Sequence, residues 1–235
     1  MKLKLLEFWN RARFTVFVTL LSCALLYLRY GQQDITEHLK LWGTDLLIKL
    51  APHVEATDVV LVEIDDQDTK SQGQWPWPRA SLAHLVERLR QNGASVIVFA
   101  DVFSEADLAK TDAAFAKSIM DNGVILSRSV DGNKIVDPVE PIRSSALALG
   151  FNNLQPDPNG VVRRLNLFRL VNDRAYYSLG VEAIAGLMGE KSAEVNNLSH
   201  GYELKINDLR PWAVESNSLW RPKFNRNFQH INATA

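Results

Sequence analysis

The sequence contains one cysteine, Cys23, so neither an intrachain disulfide nor a cluster of thiolate ligands can form. Positive charge is not in excess either: 26 Lys and Arg stand against 27 Asp and Glu, for a net charge of −1. A nucleic-acid-binding chain needs a basic footprint, and there is none. The signatures of several enzyme classes are also missing. No Gly-x-Ser-x-Gly elbow, His-Glu-x-x-His pair, phosphate-cradling Gly-Lys-Ser/Thr loop or paired-cysteine metal motif occurs. The five histidines, His38, His53, His84, His200 and His230, have no mutual ligand spacing. No catalytic residue, resident metal or cofactor is expected from this inventory.

The charge that is present is unevenly placed. Residues 1–30 hold five Lys and Arg against one acid, which leaves the remainder at a net −5. Phe14 to Leu28 is apolar apart from Thr15, Thr19 and Ser22, whose hydroxyls can bond back to a helix. Fifteen residues are short against the roughly 20 of a spanning helix. Arg29 can snorkel and Tyr30 suits the interface, which lengthens the outer end. Lys2, Lys4, Arg11 and Arg13 precede the run, and only Arg29 and Lys40 follow closely. The positive-inside bias therefore predicts a cytoplasmic N-terminus over 1–13, a transmembrane helix over 14–30 and an outward-facing remainder. A cleaved signal peptide, or a lipoprotein signal at Leu20-Leu21-Ser22-Cys23, is the rival reading, and either would export the same remainder.

Beyond the apolar run, Ile35, Leu39, Trp42, Leu46 and Leu50 recur at helical spacing. They predict a helix over 31–50, as a stalk or as the first helix of the fold, ended by Pro52. Val59 to Ile64 is an almost continuous apolar run and reads as a central strand buried on both faces. After Pro78, Leu82, Leu85, Val86 and Leu89 mark a helix stopped at Gly93, and Ser95 to Ala100 reads as the next buried strand. Strand, helix and strand in about 42 residues predict a parallel βαβ unit. A second helix over 106–121 and a strand over Val124 to Val130 follow, then a turn at Asp131-Gly132-Asn133. Asp157 to Gly160 is turn chemistry ahead of a strand-like stretch, and Leu179, Val181, Ile184 and Leu187 suit a helix within Tyr177 to Gly189. The expected fold class is α/β: a mainly parallel sheet with helices on both faces, over 51–235.

The most distinctive stretch is Gly73-Gln74-Trp75-Pro76-Trp77-Pro78-Arg79. Two indoles, each followed by proline, cannot sit inside a helix, so this is a stiff loop beyond the first strand. In an open parallel sheet ligands bind beyond the carboxyl ends of the strands. That rule would bring Asp65, Asp66, Trp75, Trp77, Arg79 and Asp101 to one rim, with Arg79 offered to one of the three aspartates. Such a rim suits a small sensor pocket; its carboxylates could instead bind a divalent cation, or simply cap helices.

Four blocks occur in order: Ile64-Asp65-Asp66, Trp75 to Arg79, Asp101-Val102-Phe103 and Pro156 to Arg164. Together they resemble the second class of CHASE domains, from about Asp34 to the last residue. The resemblance implies an outward-facing sensory input module of a bacterial receptor, without enzymatic activity of its own. It also implies that further strands, membrane helices and a cyclase, kinase or diguanylate cyclase output domain would follow, so the sensory domain here would be C-terminally incomplete. The expected partners are the membrane, a small-molecule or protein signal, and a second copy of the chain in a homodimer; nucleic acid is not among them. The alternative is an exported, carboxylate-dependent metal-binding protein or metalloenzyme.

Overall fold

A computed structural model describes residues 13–23, 26–27, 33–50, 58–157, 159–214, 219–220 and 229–232. The N-terminal expectation over 1–12, the outer anchor residues Arg29 and Tyr30, the stop at Pro52 and the turn residue Pro158 lie outside these ranges. The chain divides into two units, one of residues 1–56 with 223–227, the other of 57–222 with 228–235.

In the first unit, residues 13–23 are helical and Thr19 Oγ1 donates to the Thr15 carbonyl at 2.9 Å, the back-bond expected of an apolar helix. Helix α1 spans Gln33–Leu50, as its apolar spacing predicts. Leu39, Trp42, Leu46 and Leu50 on that spacing are exposed. Among the described residues no helix is long and apolar enough to cross a membrane.

The second unit is mixed α/β. Its strands β1 (Val60–Glu63), β2 (Ile97–Phe99), β3 (Val124–Asp131), β4 (Lys134–Val136) and β5 (Ala148–Phe151) alternate with helices α2 (Asp66–Gln72), α3 (Arg79–Gln91), α4 (Ala109–Ile119) and α5 (Ile142–Ser145). Strands β6 (Leu165–Asn166), β7 (Phe168–Val171) and β8 (Arg174–Tyr177) then lead into helix α6 (Leu179–Leu187). Strands β9 (Glu194–Leu198), β10 (Gly201–Lys205), β11 (Trp212–Val214), β12 (Leu219–Trp220) and β13 (Gln229–Asn232) complete the order.

The centre is β3, which pairs in parallel with β2 from Ile97↔Val124 to Phe99↔Leu126 and with β5 from Ile125↔Ala148 to Arg128↔Phe151. Side chains alternate along a strand, and β3 uses both faces. Val124 and Leu126 join Leu82 and Val86 of α3, Phe115 and Ile119 of α4, and Ile142 of α5 in one buried cluster. Ile125 points the other way, toward α6, where its Cδ1 lies 3.3 Å from where a Cβ on Gly186 would stand. Helices therefore cover both faces of this short sheet. A second cluster packs Val181 and Ala185 of α6 against Phe168, Ala193, Leu204, Ile206 and Val214.

Two sequence expectations are corrected. The sheet is not mainly parallel. β3–β4, β6–β12, β7–β8 and β9–β10–β11 all pair antiparallel. Turns of two residues join β3 to β4, β7 to β8 and β9 to β10, and only antiparallel pairs close over so short a turn. Asn172 and Asp173, with φ of 50° and 60°, make such a turn between β7 and β8. Nor is β1 a central buried strand. Among the described residues it pairs only with β13, in parallel, and Val59, Val60 and Leu61 are exposed. The parallel βαβ unit is β2–α4–β3 rather than β1–α3–β2. Apolar residues on both faces show that a strand tolerates burial; they do not choose its neighbours.

Candidate functional site

Asp65 and Asp66 do not end a strand as a carboxylate pair. Asp65 is the N-cap of α2: its Oδ1 accepts from the Gln67 and Asp68 backbone N–H groups at 2.7 and 2.9 Å. Asp68 Oδ2 accepts in return from the Asp65 N–H at 3.2 Å, which closes a capping box. Asp66 is exposed in the first turn, and Asp101 is exposed on its own loop. The sequence reading placed no element between the first strand and the Gly73 to Arg79 loop and so missed α2, although Asp65 and Asp68 stand at capping-box spacing.

Trp75 and Trp77 meet edge to face, 5.9 Å between centroids. Trp77 is buried in the same cluster as Leu82, Phe103 and Phe115, Trp75 packs against it, and the Trp77 indole N–H donates to the Gly73 carbonyl at 2.9 Å. These rings fill the core at the mouth of α3. Arg79, 8% exposed, does not pair with Asp65, Asp66 or Asp101 as expected. Its Nε donates to Asp112 Oδ1 on α4 at 3.1 Å and its Nη2 to the Glu105 carbonyl at 3.0 Å. Asp112 is the better partner for a physical reason. It is only 2% exposed, and its second oxygen already accepts the Asp107 N–H at 3.0 Å, so the carboxylate is preorganised where water is excluded. Of the six rim residues the structure brings Trp75 and Trp77 together, while Arg79 joins α3 to α4 and to the loop at Glu105.

The Asp157 turn is a second junction. Burial raises the Asp157 carboxyl, but hydrogen bonds from Arg164 and Arg163 outweigh it and hold the group below its usual range. Arg163 Nη1 reaches Asp157 Oδ2 and Asn159 Oδ1, each at 3.0 Å, so the turn is locked by its own two arginines.

A third cluster went unnoticed in the sequence and differs in kind, because it is not satisfied. Glu182, in the first turn of α6, is 4% exposed. Ser192 Oγ donates to its Oε1 at 3.2 Å, while Oε2 is buried with no hydrogen-bond partner among the described residues. Burial pushes the carboxyl up to about 7, against the opposing pull of Ser192 and of the Arg128 charge. Arg128, on β3, has Nε 2.8 Å from Asp137 Oδ1, yet neither atom is aligned for a hydrogen bond and both are buried. Among the described residues Ser127 Oγ is likewise buried with no hydrogen-bond partner. The phenol of Tyr177 is raised by burial and by the nearby charges of Glu182 and Glu194. One signal was available in the sequence: Glu182 is the only charged residue in the helix Leu179–Leu187.

Among the described residues no three His, Cys, Asp or Glu side chains converge to hold a metal ion. No curated protein and no solved structure matches the chain. The family model of the CHASE2 domain matches residues 18–234, which takes in α1, both junctions and the Glu182 cluster. CHASE2 is a sensory rather than a catalytic domain, an extracellular input module of signalling receptors. With nearly its whole length under that match, the chain belongs to the CHASE2 domain family.

Proposed function

We propose that this chain is the outward-facing input module of a bacterial signal-transduction receptor, held in the plasma membrane by residues 14–30 with residues 1–13 in the cytoplasm. The CHASE2 match over residues 18–234 carries the reading. The charge asymmetry about the apolar run supports the topology, since Lys2, Lys4, Arg11 and Arg13 precede it. A reporter active only in the periplasm, fused after residue 130, is expected to be active, and a cytoplasm-only reporter at the same place silent. An active cytoplasmic reporter would overturn the reading.

A further inference from the structure

We propose that Glu182 is a proton-binding switch, whose ionisation decides whether the Arg128 guanidinium serves Asp137 or Glu182. The proposal rests on the sensory reading above and names one of its inputs, the proton.

The argument starts from an unmet bond. A buried polar atom without a partner costs free energy, and Glu182 Oε2 is such an atom among the described residues, while Arg128 Nε and Asp137 Oδ1, 2.8 Å apart, form an ion pair that lacks hydrogen-bond alignment. One guanidinium is thus shared in charge between two carboxylates: it sits beside Asp137 without alignment, and its charge also acts on Glu182. Arg128 Cζ lies over the Tyr176 ring at 5.1 Å, as does that of Arg174 at 5.4 Å, so beside its ion pair the guanidinium rests on an aromatic surface that does not fix its direction. Among the described residues Tyr177 on β8 interacts with Glu182, and Glu194 on β9 in turn acts on Tyr177; Glu190, Glu194, Lys205 and Asp208 lie with Ser192 on the solvent side. Arg128 is, among the described residues, the cation whose charge acts on the Glu182 carboxylate. The position in the first turn of α6 adds a modest preference for negative charge.

A route for the proton is present. Ser192, whose hydroxyl bonds Glu182 Oε1, also lines an open polar depression of about 160 Å³ with Glu190, Glu194, Lys205, Asn207 and Asp208. One hydroxyl therefore links solvent to the buried carboxyl.

With Glu182 protonated on the unbonded oxygen, burial costs little and Arg128 stays beside Asp137. Asp137 follows β4 and leads to α5, so this ion pair ties the 137–145 segment to β3. When the proton leaves to solvent, the new carboxylate draws Arg128 toward α6. Asp137 then has a replacement close by, for Arg143 Nη1 on α5 is 3.8 Å from its Oδ2. The protonation state of one carboxyl thereby selects between two pairings and loosens or fixes a segment on the other side of β3. Its near-neutral titration places the change within the range an external compartment visits.

The test is hydrogen–deuterium exchange of the full chain in lipid nanodiscs from pH 5.5 to 8.5, corrected for intrinsic exchange. Peptides over 134–147 are expected to lose protection as pH rises, with a midpoint near 7. Glu182→Gln should hold them at the low-pH level throughout. Ser192→Ala, at an exposed position, should move the midpoint up by about one pH unit, since it removes a hydrogen bond that favours the charged form. No transition in the wild type, or the same transition in Glu182→Gln, would overturn the switch. Should Glu182→Gln fail to fold, an unmoved midpoint in Ser192→Ala overturns it equally. An active periplasmic reporter with no exchange transition would strike out the proton alone and leave the sensory reading standing.

Discussion

The Arg79 guanidinium is held by Asp112 Oδ1, by the Glu105 carbonyl and by the face of Phe103, 4.7 Å from its centre. Each group answers a different part of the side chain: charge, fork geometry and flat apolar surface. Removing one member of such a buried pair leaves the other charge stranded, which outweighs the net worth of the pair itself. Arg79→Ala is therefore expected to cost about 3–5 kcal/mol in denaturant unfolding, and Arg79→Lys, which keeps charge but loses the fork, a large part of that. Asp65→Ala, exposed enough for water to replace the cap, should by contrast cost about 1 kcal/mol. Arginine at position 79 was legible as a residue needing a fixed carboxylate; its partner was not. Asp112 lies 33 residues away on another helix, and nothing local in the sequence distinguishes it from Asp101, which is exposed on its loop.

Helices were the most readable elements, because an apolar stripe at a spacing of three or four survives without knowledge of the partner. Leu82 and Val86 of α3, and Phe115 and Ile119 of α4, are all buried, as their spacing requires. The strand β5 was not readable: Ala148-Leu149-Gly150-Phe151 carries no alternation, and its role is set by what crosses it. A Cβ on Gly150 would stand 2.6 Å from the Leu179 Cα and 2.7 Å from the Leu179 N, both backbone atoms that cannot step aside. The glycine is what lets the first turn of α6 sit directly on β5. Gly150→Ala is expected to push α6 outward and to cost about 3 kcal/mol or more, read as a lower thermal midpoint. Because Glu182 is in that same turn, the variant should also admit water to its carboxyl and bring its titration back toward the ordinary range.

Across the whole molecule, burial follows the sheet that forms rather than the apolarity of each strand. Val60-Leu61-Val62 is as apolar as Val124-Ile125-Leu126, yet Leu61 is 46% exposed and Leu126 is 0% exposed. The difference is partnership: β3 has β2, β4 and β5 beside it and helices on both faces, while β1 has β13 among the described residues. Composition supplies candidates for the centre, and long-range pairing chooses among them. A paired measurement on the 235-residue chain tests this. Leu126→Ala should cost about 2–5 kcal/mol, the transfer of a full side chain plus the cavity it leaves. Leu61→Lys should cost less than about 1 kcal/mol, since a long side chain can keep its stem on the strand and its charge in water. If Leu61→Lys were as damaging as Leu126→Ala, β1 would be a core strand, and the assignment of β3 as the sole centre of the second unit would have to be given up.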